Sequence, residues 1–369
     1  MDIIKIAIHS LKDELEATII YGRLARMYRH KSISKKLIKI AEMESRHVRF
    51  WSDFLRRRGH DPSRIKPSRL KITIYTFIFK IIGLGLTLKL LEASESSAIE
   101  VYTKLLESPD LSSDEKKELY NILEDELVHE DEFIDEESKF KDFMNHVRDA
   151  VLGMSDGLVE VLSVSAGLAG AYGNPFNVAL GGLIVGIAGA LSMGIGSFTS
   201  VRAQKQVRLG VLSRIFLASR YIPRLFRDIV FNYMRRKGFS DKTSETIADE
   251  ALRNRELLGK IIAEEEYGLK EESLENPAKA GLYTGTFYII GALVPLIPYF
   301  LLLPVQLSIP LSFILAAIML GITGFLIAVS AGLSIKWKIM ELICAGLGSA
   351  MLTYGIGRIA SISLGIEVE

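Results

Sequence analysis

Five long apolar segments in the second part of the chain constrain its fold more than any other feature. Each is long enough to cross the hydrocarbon core of a membrane, which takes about 20 residues of α-helix. They lie at residues 151–172, 178–199, 282–303, 311–333 and 339–359. Residues 1–148 are instead dense in Lys, Arg, Glu and His. The sequence therefore predicts an all-α protein, with a soluble domain at 1–145 and a five-span membrane domain at 146–369.

The first domain has the pattern of four helices joined by short breaks. We predict these helices at residues 3–28, 34–58, 72–106 and 113–140, with Ser113 as the N-cap of the last one. Short connections favour an antiparallel four-helix bundle. The stretch 72–91 is almost wholly apolar and is long enough to span a membrane, but Lys71, Lys80 and Lys89 recur along it. For this stretch we favour a helix buried on one face or resting on the membrane surface.

The distribution of basic residues predicts how the chain is oriented in the membrane. A polar insert at about 201–279 separates the second and third apolar segments, and the first part of this insert is rich in Arg and Lys. The connection SIKWKIME before the last segment is also basic. Basic connections stay on the cytoplasmic side, and the N-terminus lacks the apolar core of a signal peptide. We therefore expect a cytoplasmic first domain, with the chain in the cell membrane of a prokaryote or in a vacuolar-type membrane.

Net charge and cysteine content exclude several classes of function. The net charge of +1 gives no basis for nucleic-acid binding, which usually comes with a clustered basic excess. The single cysteine, Cys344, lies inside an apolar segment. The sequence therefore has neither a disulfide framework nor a thiolate metal site.

Two Glu-x-x-His steps are the main chemical signal of the first domain. Glu44 and His47 form one step in the second predicted helix, and Glu126 and His129 form the other in the fourth. This spacing puts both side chains of a step on one helical face. A di-iron site in a bundle takes two such steps and one Glu from each remaining helix. Those helices offer Glu14 or Glu16, and Glu92 or Glu95. We predict a metal site here; the alternative is a solvated acidic surface with two unrelated histidines.

The same residues carry a resemblance to a known family. The stretches DELEATIIYGRLA, ESRH, EASESSAIEVY and EDELVHE resemble the four helices of the rubrerythrin branch of the ferritin-like superfamily, over residues 1 to about 140. The resemblance implies an iron cofactor. It selects Glu14, seven residues before Tyr21, and implies that both Glu92 and Glu95 are ligands. Rubrerythrins also carry a four-cysteine iron site, which this sequence lacks, so the electron-transfer half of their chemistry is left open.

The first apolar segment contains two acids. Asp156 and Glu160 lie one helical turn apart, and a carboxylate within a span is costly and typical of an ion or proton path. The alternative is that Asp156 caps or snorkels at the end of the span. In the second segment, Met193 offers a thioether, a soft metal ligand, although a methionine on its own is more often a packing residue.

The membrane part resembles the vacuolar iron transporter family from about residue 147 to the end. The stretches that carry this resemblance are RDAVLGMSDGLV, ALSMGIGSFTS, MRRKGFSDKTSETIADEALR, EEEYGL and NPAKAGLYTGTFYIIGALVPLIPY. The resemblance implies export of ferrous iron, and often manganese, from the cytosol in exchange for protons. It also implies a homodimer whose interface contains the transport path, lined by Asp156 and Met193.

The chain departs from that family in two places. Ser197 stands where the family usually has a Glu four residues after the methionine, and Glu160 can supply the missing carboxylate from the first span. The first half of the insert, residues 201–239, contains one acid, Asp228, where the family is rich in Glu. Its later half keeps Glu245, Glu250, Glu256, Glu264, Glu265 and Glu266. We therefore expect that the family's metal site in the insert is not intact.

Together these patterns predict an iron transporter with a di-iron domain that binds iron and oxidises or delivers it. They leave open whether this domain is a ferroxidase or a peroxidase. The runner-up is a membrane-anchored di-iron oxidase or peroxidase whose spans form a dimerising anchor, but an anchor has no need of Asp156. A non-catalytic iron sensor is a third hypothesis. The expected partners are Fe²⁺ or Mn²⁺, protons, membrane lipid and a second copy of the chain.

Overall fold

The computed structural model describes residues 2–138, 140–269 and 275–364. Within these helices, the side chains of residues 92–97, 130, 134–138, 141–142, 255 and 266 lie outside the described set. The described regular structure is helical, without strands. The chain divides into two compact units, Met1–Val147 with Gly324–Met340, and Arg148–Thr323 with Glu341–Glu369.

The described residues form twelve α-helices and one short 3₁₀ turn. The first four α-helices are α1 (Ile3–Met27), α2 (Ile33–Arg57), α3 (Arg69–Leu106) and α4 (Ser113–Ser138). The next five are α5 (Lys141–Tyr172), α6 (Pro175–Tyr221), α7 (Pro223–Arg236), α8 (Asp241–Arg253) and α9 (Arg255–Tyr267). The last three are α10 (Pro277–Phe300), α11 (Val305–Ala331) and α12 (Ile335–Leu364).

Helices α1 to α4 form the predicted four-helix bundle. Helix α1 packs against α2 and α3, and α4 packs against α3 and α2. The bundle has two apolar clusters, one around Tyr21, Leu37 and Phe133 and the other around Trp51 and Tyr102. Along each helix, the Glu and His candidates fall between the residues of these two clusters. The bundle therefore holds polar side chains between two layers of apolar packing.

The N-cap of α4 differs by one residue from the sequence prediction. Ser112, not Ser113, caps the helix: its hydroxyl accepts from the backbone N–H of Glu115 at 3.3 Å. Glu115 in turn accepts from the backbone N–H of Ser112 at 3.0 Å. This reciprocal pair is a capping box, which needs the acid three residues after the cap. From Ser113, that third position is Lys116, which cannot complete the box.

The first part of α3 is buried on one face. Ile72 and Phe79 are buried, whereas Leu70, Ile74, Phe77 and Ile81 are exposed on the opposite face. At Gly83 the backbone leaves the helical region, with φ 78° and ψ 175°. Only glycine adopts this conformation without strain, so the sequence itself sets the position of the kink.

Six helical segments of the described chain are long and apolar enough to cross a membrane. Each of the five predicted segments overlaps one of them, in α5, α6, α10, α11 and α12. The sixth is Arg69–Leu91, the first part of α3. These assignments rest on length and composition.

In the second unit, α6 continues far beyond the apolar segment. Its 47 residues correspond to about 70 Å of helix. The far end of α6 packs with α7, α8 and α9, and these segments together form the insert. Its apolar core includes Leu212, Val230, Ala248 and Leu258. The near end packs along α10. Helix α5 also approaches α10 closely at Gly157, which has no side chain. A Cβ there would lie only 2.2 Å from the carbonyl oxygen of Tyr288.

Candidate metal sites

Four buried side chains of the bundle converge on one point. Glu14 from α1, Glu44 and His47 from α2, and Glu126 from α4 offer ligand atoms that lie within 4.8 Å of one another. The Nδ1 atom of His47 lies 3.2 Å from Glu126, 3.3 Å from Glu44 and 3.8 Å from Glu14. Three helices thus bring three carboxylates to one imidazole nitrogen.

The chemistry of this cluster fits a metal ion. Within the described part of the chain, His47 Nδ1 is buried and has no hydrogen-bond partner. Burial alone would lower the pKa of His47, but Glu126, Glu14 and Glu44 outweigh it and raise that pKa well above its ordinary value. Three carboxylates buried together therefore need a cation among them. Carboxylate and imidazole ligands suit iron and manganese.

The second Glu-x-x-His step reaches the same cluster. His129 is fully buried, and its Nδ1 lies 3.5 Å from Glu44 and 3.6 Å from Glu126. The two histidine rings are 6.1 Å apart between centroids. The structure therefore brings together both steps predicted from the sequence. The side chains of Glu92 and Glu95 lie outside the described residues.

Glu16, the alternative to Glu14, has a different role. One of its carboxylate oxygens accepts from the backbone N–H of Ser68 at 2.9 Å, and the other lies 2.7 Å from Lys71 Nζ. Both partners are at the start of α3, and Glu16 therefore anchors that helix to α1. Between the two candidates, Glu14 is the one in the cluster.

Two residues of the bundle site were missed by sequence reasoning. Tyr102 is buried and donates its hydroxyl hydrogen bond to Glu14. Burial raises the pKa of Tyr102, with nearby Glu14 and Glu126 acting in the same direction, so the phenol stays protonated. On the other side of His47, the Nε2 atom lies 3.3 Å from the carboxylate of Asp125, to which it can donate a hydrogen bond. When Nδ1 loses its proton to a metal ion, Nε2 keeps its proton and donates to Asp125, an arrangement common for metal-ligating histidines.

A cavity of about 670 Å³ lies within the second unit. Asp156, Glu160, Met193, Tyr288, Ser349 and Thr353 are among its lining residues. These side chains come from α5, α6, α10 and α12. All three residues predicted for an ion path, Asp156, Glu160 and Met193, thus line the same cavity.

The polar residues from α10 and α12 were not predicted from the sequence. Tyr288 donates a hydrogen bond to Glu160. The hydroxyl oxygens of Ser163 and Ser349 lie 2.9 Å apart, and Thr353 donates to the Ser163 carbonyl at 2.6 Å. The signal that could have found Ser349 and Thr353 is their spacing, since hydroxyls four residues apart share one face of a span. The cavity therefore combines an acidic part with a hydroxyl-lined part.

Several acids of the insert are paired with basic side chains. Arg227 lies 2.8 Å from Asp249, 3.3 Å from Asp228 and 3.4 Å from Glu245. Two further pairs are Lys237 with Glu265 at 2.5 Å and Lys260 with Glu256 at 2.8 Å. The side chain of Glu266 lies outside the described residues. Among the acids with described side chains, the insert thus neutralises much of its negative charge internally.

The protein has several helices long and apolar enough to span a membrane, a cavity lined by acids and a buried carboxylate–histidine cluster. These features are typical of a multi-pass membrane protein that binds metal ions. Comparison with known families gives the same result. Residues 147–358 match the VIT family, and residues 3–137 match the Rubrerythrin family. The chain belongs to the VIT family and carries an N-terminal rubrerythrin domain.

Several curated proteins are similar to the membrane part. Protein CCC1 of Saccharomyces cerevisiae is 27% identical over 202 residues, which are 53% of this chain and 62% of that protein. The vacuolar iron transporter of Centaurea cyanus is 23% identical over 212 residues, 58% of this chain and 86% of that protein. Vacuolar iron transporter 1 of Oryza sativa subsp. japonica is 28% identical over 153 residues, 42% of this chain and 61% of that protein. The match spans less than two thirds of the yeast and rice proteins.

Proposed function

We propose that this protein is a membrane transporter that exports ferrous iron, and also manganese, from the cytosol in exchange for protons. The observation that carries the proposal is the cavity in which Asp156, Glu160 and Met193 meet. The similarity to vacuolar iron transporters supports iron as the substrate. We take residues 1–145 as the receiving domain and 146–369 as the transporting domain.

The cavity residues suit the passage of a divalent cation. A dehydrated cation is costly in the low dielectric of a membrane, and the two negative charges of Asp156 and Glu160 offset that cost. The thioether of Met193 adds a soft ligand, which favours a transition metal over Mg²⁺. Carboxylates bind metal in their deprotonated form, so metal release allows protons to bind in its place. Proton exchange therefore follows from the same ligands.

The bundle would receive the metal on the cytoplasmic side. We propose Glu14, Glu44, His47, Glu92, Glu95, Glu126 and His129 as ligands of a di-iron centre. The chemistry that bound iron supplies is redox chemistry with dioxygen or peroxide. The protein holds the ligands in place: Asp125 orients His47, and Tyr102 orients Glu14.

A second copy of the chain would complete the transport path. Asp156 and Glu160 are exposed in the single chain, and a charged side chain facing lipid is unfavourable. A homodimer whose partner covers this face removes that cost. The basic residues of the insert support a cytoplasmic location for the insert and, with it, for the first domain.

Metal uptake into vesicles tests the proposal. Asp156→Asn keeps the volume but removes the charge, so Fe²⁺ and Mn²⁺ flux should fall to the background of protein-free vesicles. The matched control is Asp241→Asn, an exposed acid of the insert, which should leave the flux unchanged. Metal binding by the bundle should survive in both variants. Wild-type protein that oxidises iron but gives no flux would instead support the membrane-anchored oxidase.

A further inference from the structure

Glu160 accepts a hydrogen bond from Tyr288, a side chain that is itself buried. Tyr288 is fully buried in the helical packing, and its hydroxyl donates a hydrogen bond to one carboxylate oxygen of Glu160. The side chain of Glu160 is exposed and lines the cavity. A hydrogen bond from a buried phenol on a neighbouring helix favours one orientation of that carboxylate and occupies only one of its two oxygens.

The structure provides a specific space for the Tyr288 hydroxyl. A Cβ on Gly189 of α6 would lie 2.1 Å from the Tyr288 hydroxyl oxygen, far inside van der Waals contact. On the other side, Gly157 of α5 allows the backbone of Tyr288 to approach, as described above. Two glycines on different helices thus fix both the backbone and the hydroxyl of one tyrosine.

On α6, the residue one turn after Met193 is not an acid. It is Ser197, whose hydroxyl accepts a hydrogen bond from Thr284 at 3.1 Å. Helix α6 therefore supplies a thioether at Met193 and a hydroxyl at Ser197. The second carboxylate for a divalent cation must then come from α5, through Glu160.

We infer that Tyr288 is a positioning residue that orients Glu160 so that Glu160, Asp156 and Met193 bind one divalent transition-metal ion. The inference deepens the proposed function, on which it rests for the role of the cavity in transport. A preorganised ligand pays less ordering entropy on binding. Loss of the hydroxyl should therefore weaken metal binding more than it slows the maximal rate.

The affinity of the site at Glu160 for Mn²⁺ can be measured directly, without a transport assay. Carbodiimides label carboxylic acids in apolar surroundings, and bound metal protects them. The full-length protein in nanodiscs is labelled across an Mn²⁺ series, and peptide mass spectrometry reports modification of Glu160. In Tyr288→Phe, the Mn²⁺ concentration for half-protection should rise about tenfold, the effect of one hydrogen bond to a charged group. Tyr299 is a buried tyrosine of the same helix and serves as the control. Tyr299→Phe should change the Mn²⁺ concentration for half-protection less than about twofold.

A second pair of variants moves the hydroxyl without removing it. Gly189→Ala places a methyl group where the hydroxyl lies and should shift the half-protection concentration as Tyr288→Phe does. Gly196→Ala is the control on the same helix, because a Cβ there meets no atom of the described residues within 4 Å. Equal shifts in the test and control variants, or no shift in Tyr288→Phe, would overturn the positioning role. So would a wild-type Glu160 that Mn²⁺ does not protect at any concentration.

Vesicle flux separates this inference from the proposed function. Tyr288→Phe should raise the KM for Mn²⁺ about tenfold with little change in the maximal rate. In a Glu160→Gln background, the same substitution should have no further effect, because it acts through Glu160. Additive effects would overturn the inference. Absence of wild-type flux together with the protection pattern above would overturn the transport proposal and leave the inference supported.

Discussion

The bundle and the insert are both rich in acids, but they deal with negative charge in opposite ways. In the bundle, Glu44 and Glu126 are each 1% exposed and meet around His47. In the insert, the side chains of Glu245 and Asp249 are 63% and 52% exposed and lie beside Arg227. Glu44 and Glu126 of the bundle are thus buried around an imidazole, whereas Glu245 and Asp249 of the insert are solvated and lie beside a guanidinium.

This difference shows that the number of acids in a region does not predict a metal site. A cluster of buried carboxylates is stable only with positive charge among them, and a metal ion can supply that charge. Arg227 supplies it permanently in the insert, because a guanidinium does not lose its proton. The comparison therefore supports the proposal that the bundle, rather than the insert, receives the metal. The following predictions are ordered by the size of the expected effect.

The largest expected effect comes from the bundle ligands. Glu44→Gln with Glu126→Gln should weaken binding of Fe²⁺ and Mn²⁺ by the bundle more than 100-fold, beyond the roughly 10–100-fold typical of residues that only support a ligand. Equilibrium dialysis of the full-length protein without oxygen measures this. The matched control, Glu245→Gln with Asp249→Asn, should keep wild-type affinity. The comparison breaks down if the insert variant loses the metal and the bundle variant retains it.

A smaller effect is expected for an acid of the bundle that resembles those of the insert. Glu115 pairs with Arg58 at 2.6 Å, and Arg58 lowers the pKa of Glu115 from 4.5 to about 2. The folded state therefore favours the carboxylate. The stability that Glu115 contributes is present above pH 4.5 and is lost as the pH falls towards 2.

The variant Glu115→Gln tests this pairing. It should lower stability at pH 7 by about 1–2 kcal/mol, allowing for the partial exposure of the pair. Between pH 4.5 and 2, the melting temperature of the wild type should fall further than that of the variant. Parallel melting curves across that pH range would mean that Arg58 contributes nothing to the charge balance of Glu115.

The smallest effect is expected at Arg227. Arg227→Gln removes the shared partner of three exposed acids, and exposed ion pairs contribute at most about 1 kcal/mol each. We expect a slight loss of thermal stability of the insert and weak, millimolar Mn²⁺ binding that the wild-type insert lacks. Titration of the bundle double variant, with and without this change, isolates the insert. New tight Mn²⁺ binding would show that Arg227 blocks a metal site in the insert. The bundle and the insert would then differ in how metal binding is controlled, not in whether they can bind metal.

Residue spacing was enough to predict the parts of the fold and site that depend on local structure. The two Glu-x-x-His steps lie within single helices, so helical geometry alone puts Glu44 beside His47 and Glu126 beside His129. The apolar segments likewise predict their own helices, because each needs about 20 residues. The error of one residue at the α4 cap arose because Ser112 and Ser113 are both capable caps, and only Glu115 decides between them.

The supporting residues could not be predicted, because their partners are distant in the sequence. Tyr102 is 88 residues from Glu14, and Tyr288 is 128 residues from Glu160. A tyrosine in a helix is usually a packing residue, and no local pattern marks the ones that donate to a ligand. The choice between Glu14 and Glu16 was open for the same reason, since it depends on where Lys71 and Ser68 lie.

The most direct test of the account is metal uptake into vesicles across a concentration series. It compares wild type with Glu44→Gln/Glu126→Gln in the bundle and with Glu264→Gln/Glu265→Gln/Glu266→Gln in the insert. If the bundle receives metal for the cavity, the bundle variant should lose uptake at low metal concentration and recover it at high concentration, while the insert variant follows the wild type. Failure of the insert variant at every concentration, with wild-type uptake by the bundle variant, would contradict the account.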